Sequence, residues 1–123
     1  MDHNSVLRPF AALAEEGAEV VHVSCDAVTG LVDLNAWRQA LTPTSSARSS
    51  GSSRASDHTT TLAAINWVSN VTGTIQPVAE AVAIAKQLNV PTLVDVAQGL
   101  GHLPFDQTAV GADLAAFPGH KGL

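Results

Sequence analysis

Three short apolar stretches limit what this chain can fold into. Leu62 to Val68 (LAAINWV), Thr92 to Val94 and Asp113 to Phe117 have strand composition, and each runs at once into polar or Gly-rich residues. Between the first two, Val78, Val82, Ala85 and Leu88 fall on one helical face, and Pro77 suits the first turn of that helix. Strands and helices alternating at this spacing predict an α/β fold, a mostly parallel sheet with flanking helices. Such sheets bind ligands beyond the carboxyl ends of their strands. Asn70, Asp95 and Lys121 each follow directly on a predicted strand. If those strands are parallel neighbours, the three side chains converge on one rim.

The N-terminal part reads less simply. Leu7, Phe10, Leu13 and Ala14 recur at helical spacing after a cap at Asn4 or Ser5, with Gly17 as the stop and Pro9 tolerable only near the start. Glu19 to Ser24 (EVVHVS) has strand composition, which makes His22 a packed strand residue. After the break at Gly30, Leu34, Trp37 and Leu41 put an apolar stripe on a short second helix. Thr42 to Thr61 is Ser/Thr-rich and holds almost no side chain able to offset the entropy of ordering, so it reads as a flexible loop. A loop of that length inside a domain is either functional, an insertion or a locally faulty stretch of sequence.

Composition removes several function classes. Hydrophobic residues make up 46% of the 123 and charged residues 14%, which is globular and enough for one modest core. The net charge of -5, with six scattered Lys and Arg, argues against nucleic acid as the partner. No apolar run approaches the roughly 18 residues of a membrane span, and the first residues lack the order of a signal peptide, so a cytoplasmic location is expected. Cys25 is the single cysteine, and the histidines show no ligand spacing, so no metal site is expected. Neither G-x-G-x-x-G nor G-x-x-x-x-G-K-[ST] occurs, which ranks a nucleotide-binding module last.

A rim carrying Asn, Asp, Gln, His and Lys could serve several chemistries, and pyridoxal phosphate uses all of these types together. It needs a lysine amine for a Schiff base and a carboxylate facing its ring nitrogen. Taken alone, Asp95 could equally be a turn cap and Asn70 a turn residue. Five segments then resemble the cysteine desulfurase branch of the class V aminotransferases, in the order that family has them. They are His3-Asn4-Ser5-Val6-Leu7-Arg8-Pro9, Gly30-Leu31-Val32-Asp33-Leu34, Ser69-Asn70-Val71-Thr72-Gly73-Thr74-Ile75-Gln76-Pro77, Leu93-Val94-Asp95-Val96-Ala97-Gln98, and Ala116-Phe117-Pro118-Gly119-His120-Lys121-Gly122-Leu123.

The resemblance implies part of the large domain of the aspartate aminotransferase-like fold, spanning 1–123 with a Ser/Thr-rich insertion near 42–61. It implies that Lys121 holds pyridoxal phosphate as an internal aldimine and moves the α-proton of the substrate. Asp95 would pair with the pyridine nitrogen and His3 would stack on the ring. Asn70 and Gln98 would contact the ring oxygen, and His120 would help hold the phosphate. The implied activity is a cysteine desulfurase. The alternatives are a truncated, non-catalytic remnant of the same family, or another class V member such as an aminotransferase or selenocysteine lyase. The substrate would be a small amino acid, and the complete enzyme a homodimer. Pro118 stands where the family commonly has Ser, which removes a hydroxyl contact to phosphate. Cys25 does not match the family's sulfur-accepting cysteine, which lies much later. The chain alone, without the glycine-rich phosphate segment and the small domain, is expected not to turn over.

One expectation can be tested on the chain directly. Deleting most of Ser45 to Asp57 should leave stability unchanged or slightly raised, because halving a flexible loop changes closure entropy by only roughly 0.6 kcal/mol. Circular dichroism and urea titration of the deletion variant check it, and a large loss of helical signal would show that the loop packs.

Overall fold

Each of the three apolar stretches forms a strand. The computed structural model describes residues 2–43 and 60–122. In chain order the elements are α1 (Asn4–Glu15), α2 (Leu34–Leu41), β1 (Ala63–Asn66), α3 (Val78–Gln87), β2 (Thr92–Asp95), α4 (Gln107–Val110) and β3 (Leu114–Ala116). The strands pair in parallel in the order β1-β2-β3. Their register sets Asn66 beside Asp95 and Asp95 beside Ala116, so all three strands end level. The α/β architecture with a parallel sheet is the one the alternating pattern predicts.

The core forms where α3 lies on the sheet. Its buried face is Val78, Ala81, Val82, Ile84 and Ala85, and the small Ala81 and Ala85 let the helix approach closely. Val82, Val94 and Val96 are fully buried, and burying a side chain of that size stabilises by about 1.5–3 kcal/mol. Beside α3, α2 contributes Trp37 and Leu41 to the same core, and the Trp37 indole N–H donates to the Ala81 carbonyl at 3.0 Å. That bond lets a ring with a polar edge sit inside the core.

Four sequence expectations need correction. Residues 19–24 form no strand; the nearest pairing is an isolated antiparallel bridge between Cys25 and Val32. Strand composition is insufficient without a ladder partner, and none of the described strands pairs with this segment, where Val21 is 58% exposed. His22 is accordingly exposed rather than packed. The cap of α1 is His3, whose Nδ1 accepts from the Ser5 N–H at 3.1 Å, instead of Asn4 or Ser5. Pro9 lies inside α1, in its second turn rather than at its start, and the helix continues to Glu15; the Ser5 carbonyl that loses a donor is on an exposed residue where water can replace it. The Ser/Thr-rich stretch falls largely at 44–59, outside the described residues. No helix among the described residues is long and apolar enough to cross a membrane.

At the amino end of the sheet Thr92 is fully buried and clamped by Asp113, whose carboxylate accepts from the Thr92 backbone N–H at 2.8 Å and hydroxyl at 3.0 Å. Those two bonds hold the Asp113 carboxyl below its ordinary value of 3.8. A native value below the unfolded one means the clamp's charge-linked contribution is fully present above the ordinary carboxylate value. It is lost as pH falls through the lowered native value. Urea titrations of the parent and Asp113→Asn should therefore diverge most above about pH 5 and converge in acid. A gap independent of pH would show that the ionised carboxylate contributes nothing.

Candidate functional site

Because the strands are parallel and end in register, the residues after them share one side of the sheet. After β1, a tight antiparallel hairpin runs from Trp67 to Gln76. Gln76 N–H donates to the Trp67 carbonyl at 2.7 Å, Ser69 N–H to the Thr74 carbonyl at 3.0 Å, and Gly73 N–H to the Ser69 carbonyl at 2.9 Å. The buried Ser69 hydroxyl accepts from the N–H groups of Val71 at 3.2 Å and Thr72 at 3.3 Å, a turn device that short hydroxyl side chains supply. Asn70 stands at the exposed tip.

Asp95 is the last residue of β2 and half-buried. Its Oδ1 accepts from the Ala97 N–H at 2.9 Å, so the cap role and a ligand role use different oxygens. Among the described residues Oδ2 receives no hydrogen bond. The chain then winds through a helical turn in which Gly99 and Leu100 N–H both donate to the Val96 carbonyl, at 3.1 and 2.9 Å. Gln98 sits half-buried in that turn. After β3, Phe117 and Pro118 lead to a turn that carries the exposed His120 and Lys121. No carboxylate pairs with Lys121 among the described residues.

The sheet thus ends β2 on Asp95 and places Asn70, Gln98, His120 and Lys121 on segments that follow the carboxyl ends of its strands. His3 comes from elsewhere, the start of α1, and its Nδ1 is engaged by the cap and by the Ser5 hydroxyl at 2.9 Å. A cavity of about 810 Å³ lies between α1, residues 18–23, α2 and β1, and none of these six residues lines it. It is mainly an apolar gap beside β1, so the polar chemistry of the rim outweighs its size as a guide to function. No group of three or more potential metal ligands occurs among the described residues.

Sequence reasoning missed one residue that builds the rim. Gln76 is 3% exposed, and its side-chain amide donates to the Gly30 carbonyl at 2.7 Å while its oxygen accepts from the Val32 N–H at 2.9 Å. The hairpin that presents Asn70 is thereby stapled to the turn at 26–32. A second tie runs from the Thr74 hydroxyl to the Thr29 carbonyl at 3.1 Å. That turn is itself closed by Asp26, which accepts from Thr29 N–H, Thr29 hydroxyl and Val28 N–H, and these bonds lower its pKa. The available signal was a glutamine between an apolar strand and a helix-starting proline, a place where an unpaired amide would be costly.

A sequence model of one family, described as aminotransferase class-V, matches residues 1–123. The chain belongs to the class V aminotransferase family. This enzyme family depends on pyridoxal phosphate. Among class V relatives, a protein of Methanothermobacter thermautotrophicus named a probable cysteine desulfurase is 38% identical over 122 residues, 99% of this chain and 26% of that protein. A cysteine desulfurase of Yersinia pestis is 34% identical over 98% of this chain and 26% of its own length. Of the solved structures, the apo cysteine desulfurase of Thermococcus onnurineus superposes with a TM-score of 0.80 at 30% identity, covering 98% of this chain and 26% of that one. A structure described as SspA in complex with cysteine superposes at 0.81 with 26% identity, covering 98% and 30%. The chain therefore spans about a quarter of the length of the curated relatives it matches. The donor set of the rim fits the family's cofactor, with a half-buried carboxylate and, among the described residues, a primary amine that no carboxylate pairs with.

Removing the staple should loosen the Asn70 hairpin. Gln76→Ala leaves the Gly30 carbonyl and the Val32 N–H without their partner, and each such loss costs about 1–3 kcal/mol. Urea denaturation should read a destabilisation of at least about 2 kcal/mol. Gln76→Glu should also destabilise, because a carboxylate would face the Gly30 carbonyl. Wild-type stability in both variants would remove the staple from the account of the site.

Proposed function

We propose that this chain forms the lysine-bearing part of a cysteine desulfurase, with Lys121 as the residue that attaches pyridoxal phosphate. What supports this is the register that ends β2 and β3 level, so that Asp95 and the Lys121 loop leave adjacent strands on one side of the sheet. When bound, the cofactor supplies an electron sink for the substrate carbanion.

Lys121 would hold the cofactor through its Nζ, and the same amine, when free, would take up and return the proton at the substrate α-carbon. Asp95 would supply a carboxylate oxygen to the ring nitrogen and favour its protonated form, with Oδ1 on the Ala97 N–H fixing the carboxylate plane. Asn70 and Gln98 would donate side-chain N–H groups to the ring oxygen, and His120 would donate to the phosphate. His3 would stack by its ring face, a role compatible with keeping Nδ1 on the α1 cap. Cysteine is the proposed substrate, consistent with the names of the relatives and with the cysteine complex of one structural neighbour. The attacking sulfur nucleophile belongs to another part of the complete enzyme, which we propose acts as a homodimer. Cys25 lies in the bridge with Val32, in a part of the chain remote from the lysine turn in sequence.

Borohydride reduction after addition of pyridoxal phosphate, followed by peptide mass spectrometry, tests the assignment. The adduct should map to Lys121 and vanish in Lys121→Ala. Trapping at the same yield on another lysine of that variant would overturn it. Asp95→Asn should keep the far-ultraviolet spectrum and still form the adduct, but with the ring nitrogen's titration moved to lower pH. An unaltered titration would remove Asp95 from that role.

A further inference from the structure

We propose that Gly101 and Gly122 are positioning residues for Lys121, their bare backbones meeting so that the lysine loop is held against the loop that carries Gln98. This rests on the reading of Lys121 as the cofactor lysine and adds what aims it. A Cβ at Gly101 would overlap the Gly122 carbonyl, and a Cβ at Gly122 would overlap the Leu100 carbonyl and come within 3.2 Å of the His102 ring. Two residues from different loops are thus in mutual contact with no room for a methyl on either. The first loop is anchored in turn, because a Cβ at Gly99 would run into the Trp67 ring. Trp67 is buried and packs on Phe105 with ring centroids 5.0 Å apart. A continuous line of packing leads from the end of β1, through the Gly99 turn, to the residue next to Lys121.

Backbone conformation alone does not account for these glycines. Gly101 has φ +84°, which by itself favours glycine, but Gly122 lies outside that region and its missing side chain is explained only by the contact. Gly17 separates the two causes, with φ +99° and nothing within 4 Å of an added Cβ. Gly17→Ala therefore carries the conformational penalty without a collision.

Positioning matters at this place because the lysine side chain is exposed and, among the described residues, no carboxylate pairs with it to aim it. A misplacement of about 1 Å in a reacting group can cost about 100-fold in rate. The experiment compares the parent with Gly101→Ala, Gly122→Ala and Gly17→Ala by two readouts. The first needs no cofactor: amide hydrogen exchange of residues 97–103 and 118–122. The second is the rate at which pyridoxal phosphate becomes trapped on Lys121 by borohydride. Gly101→Ala and Gly122→Ala should speed exchange in both loops, including the loop that was not mutated, and slow trapping on the order of 100-fold. Gly17→Ala should leave both unchanged. Exchange altered only in the mutated loop, or trapping at the parental rate in both contact variants, would overturn the proposal. A parent that traps no cofactor on Lys121 would instead sink the proposed function. The exchange of the unmutated loop would still decide whether the two loops are coupled, and a variant that unfolds is replaced by the one on the other side of the contact.

Discussion

Parallel pairing in a fixed register makes three strands finish at the same height, and the candidate site depends on that alignment. Asn66, Asp95 and Ala116 stand side by side across the sheet. Residues separated by some fifty positions in the chain therefore leave for the same region of space. What keeps the register is burial on the helix side: α3 presses Val82 and two alanines onto strands whose inward residues include Ile65 and Val94. A slip of one residue would turn those side chains to the other face. It would also carry Asp95 out of line with the lysine turn.

The described loops built on this frame are held by hydrogen bonds and by shape. Asp26, Asp33, Asp95 and Asp106 all accept from backbone N–H groups two or three residues onward, each closing a local turn or a helix start. Gln76 works over a longer distance, satisfying two backbone groups of a turn more than forty residues earlier. Where neither device reaches, close backbone contact takes over, as between Gly101 and Gly122. The order of these constraints runs outward from the buried helix face to the exposed lysine.

How much of this could be read from residues alone varied with the range of the interaction. Strands β1, β2 and β3 and helix α3 were legible because apolar spacing records which face is buried, and burial is what stabilises them. The placement of Asn70, Asp95 and Lys121 at or after the strand ends was legible because strand ends are. Residues 19–24 misled because a strand is a property of a pair, and Val20, Val21 and Val23 say nothing of whether a partner is present. The His3 cap was invisible for a related reason, since imidazole is not among the preferred capping groups and Asn4 and Ser5 stood next to it. The Gln76 staple and the glycine contact join segments distant in sequence, and no local pattern encodes a distance.

Trp67 has a practical consequence. The chain has two tryptophans and no tyrosine, so its intrinsic emission comes from two buried indoles in different layers. Trp37 sits between α2 and α3 and donates its N–H to a helix carbonyl, and its signal follows the integrity of the helical layer. Trp67 lies under the Gly99 turn against Phe105, and its signal follows the loops that bear Gln98 and Lys121. Replacing Trp37 with Phe would leave a single native fluorophore under the rim, an optical probe of that region that needs no added label.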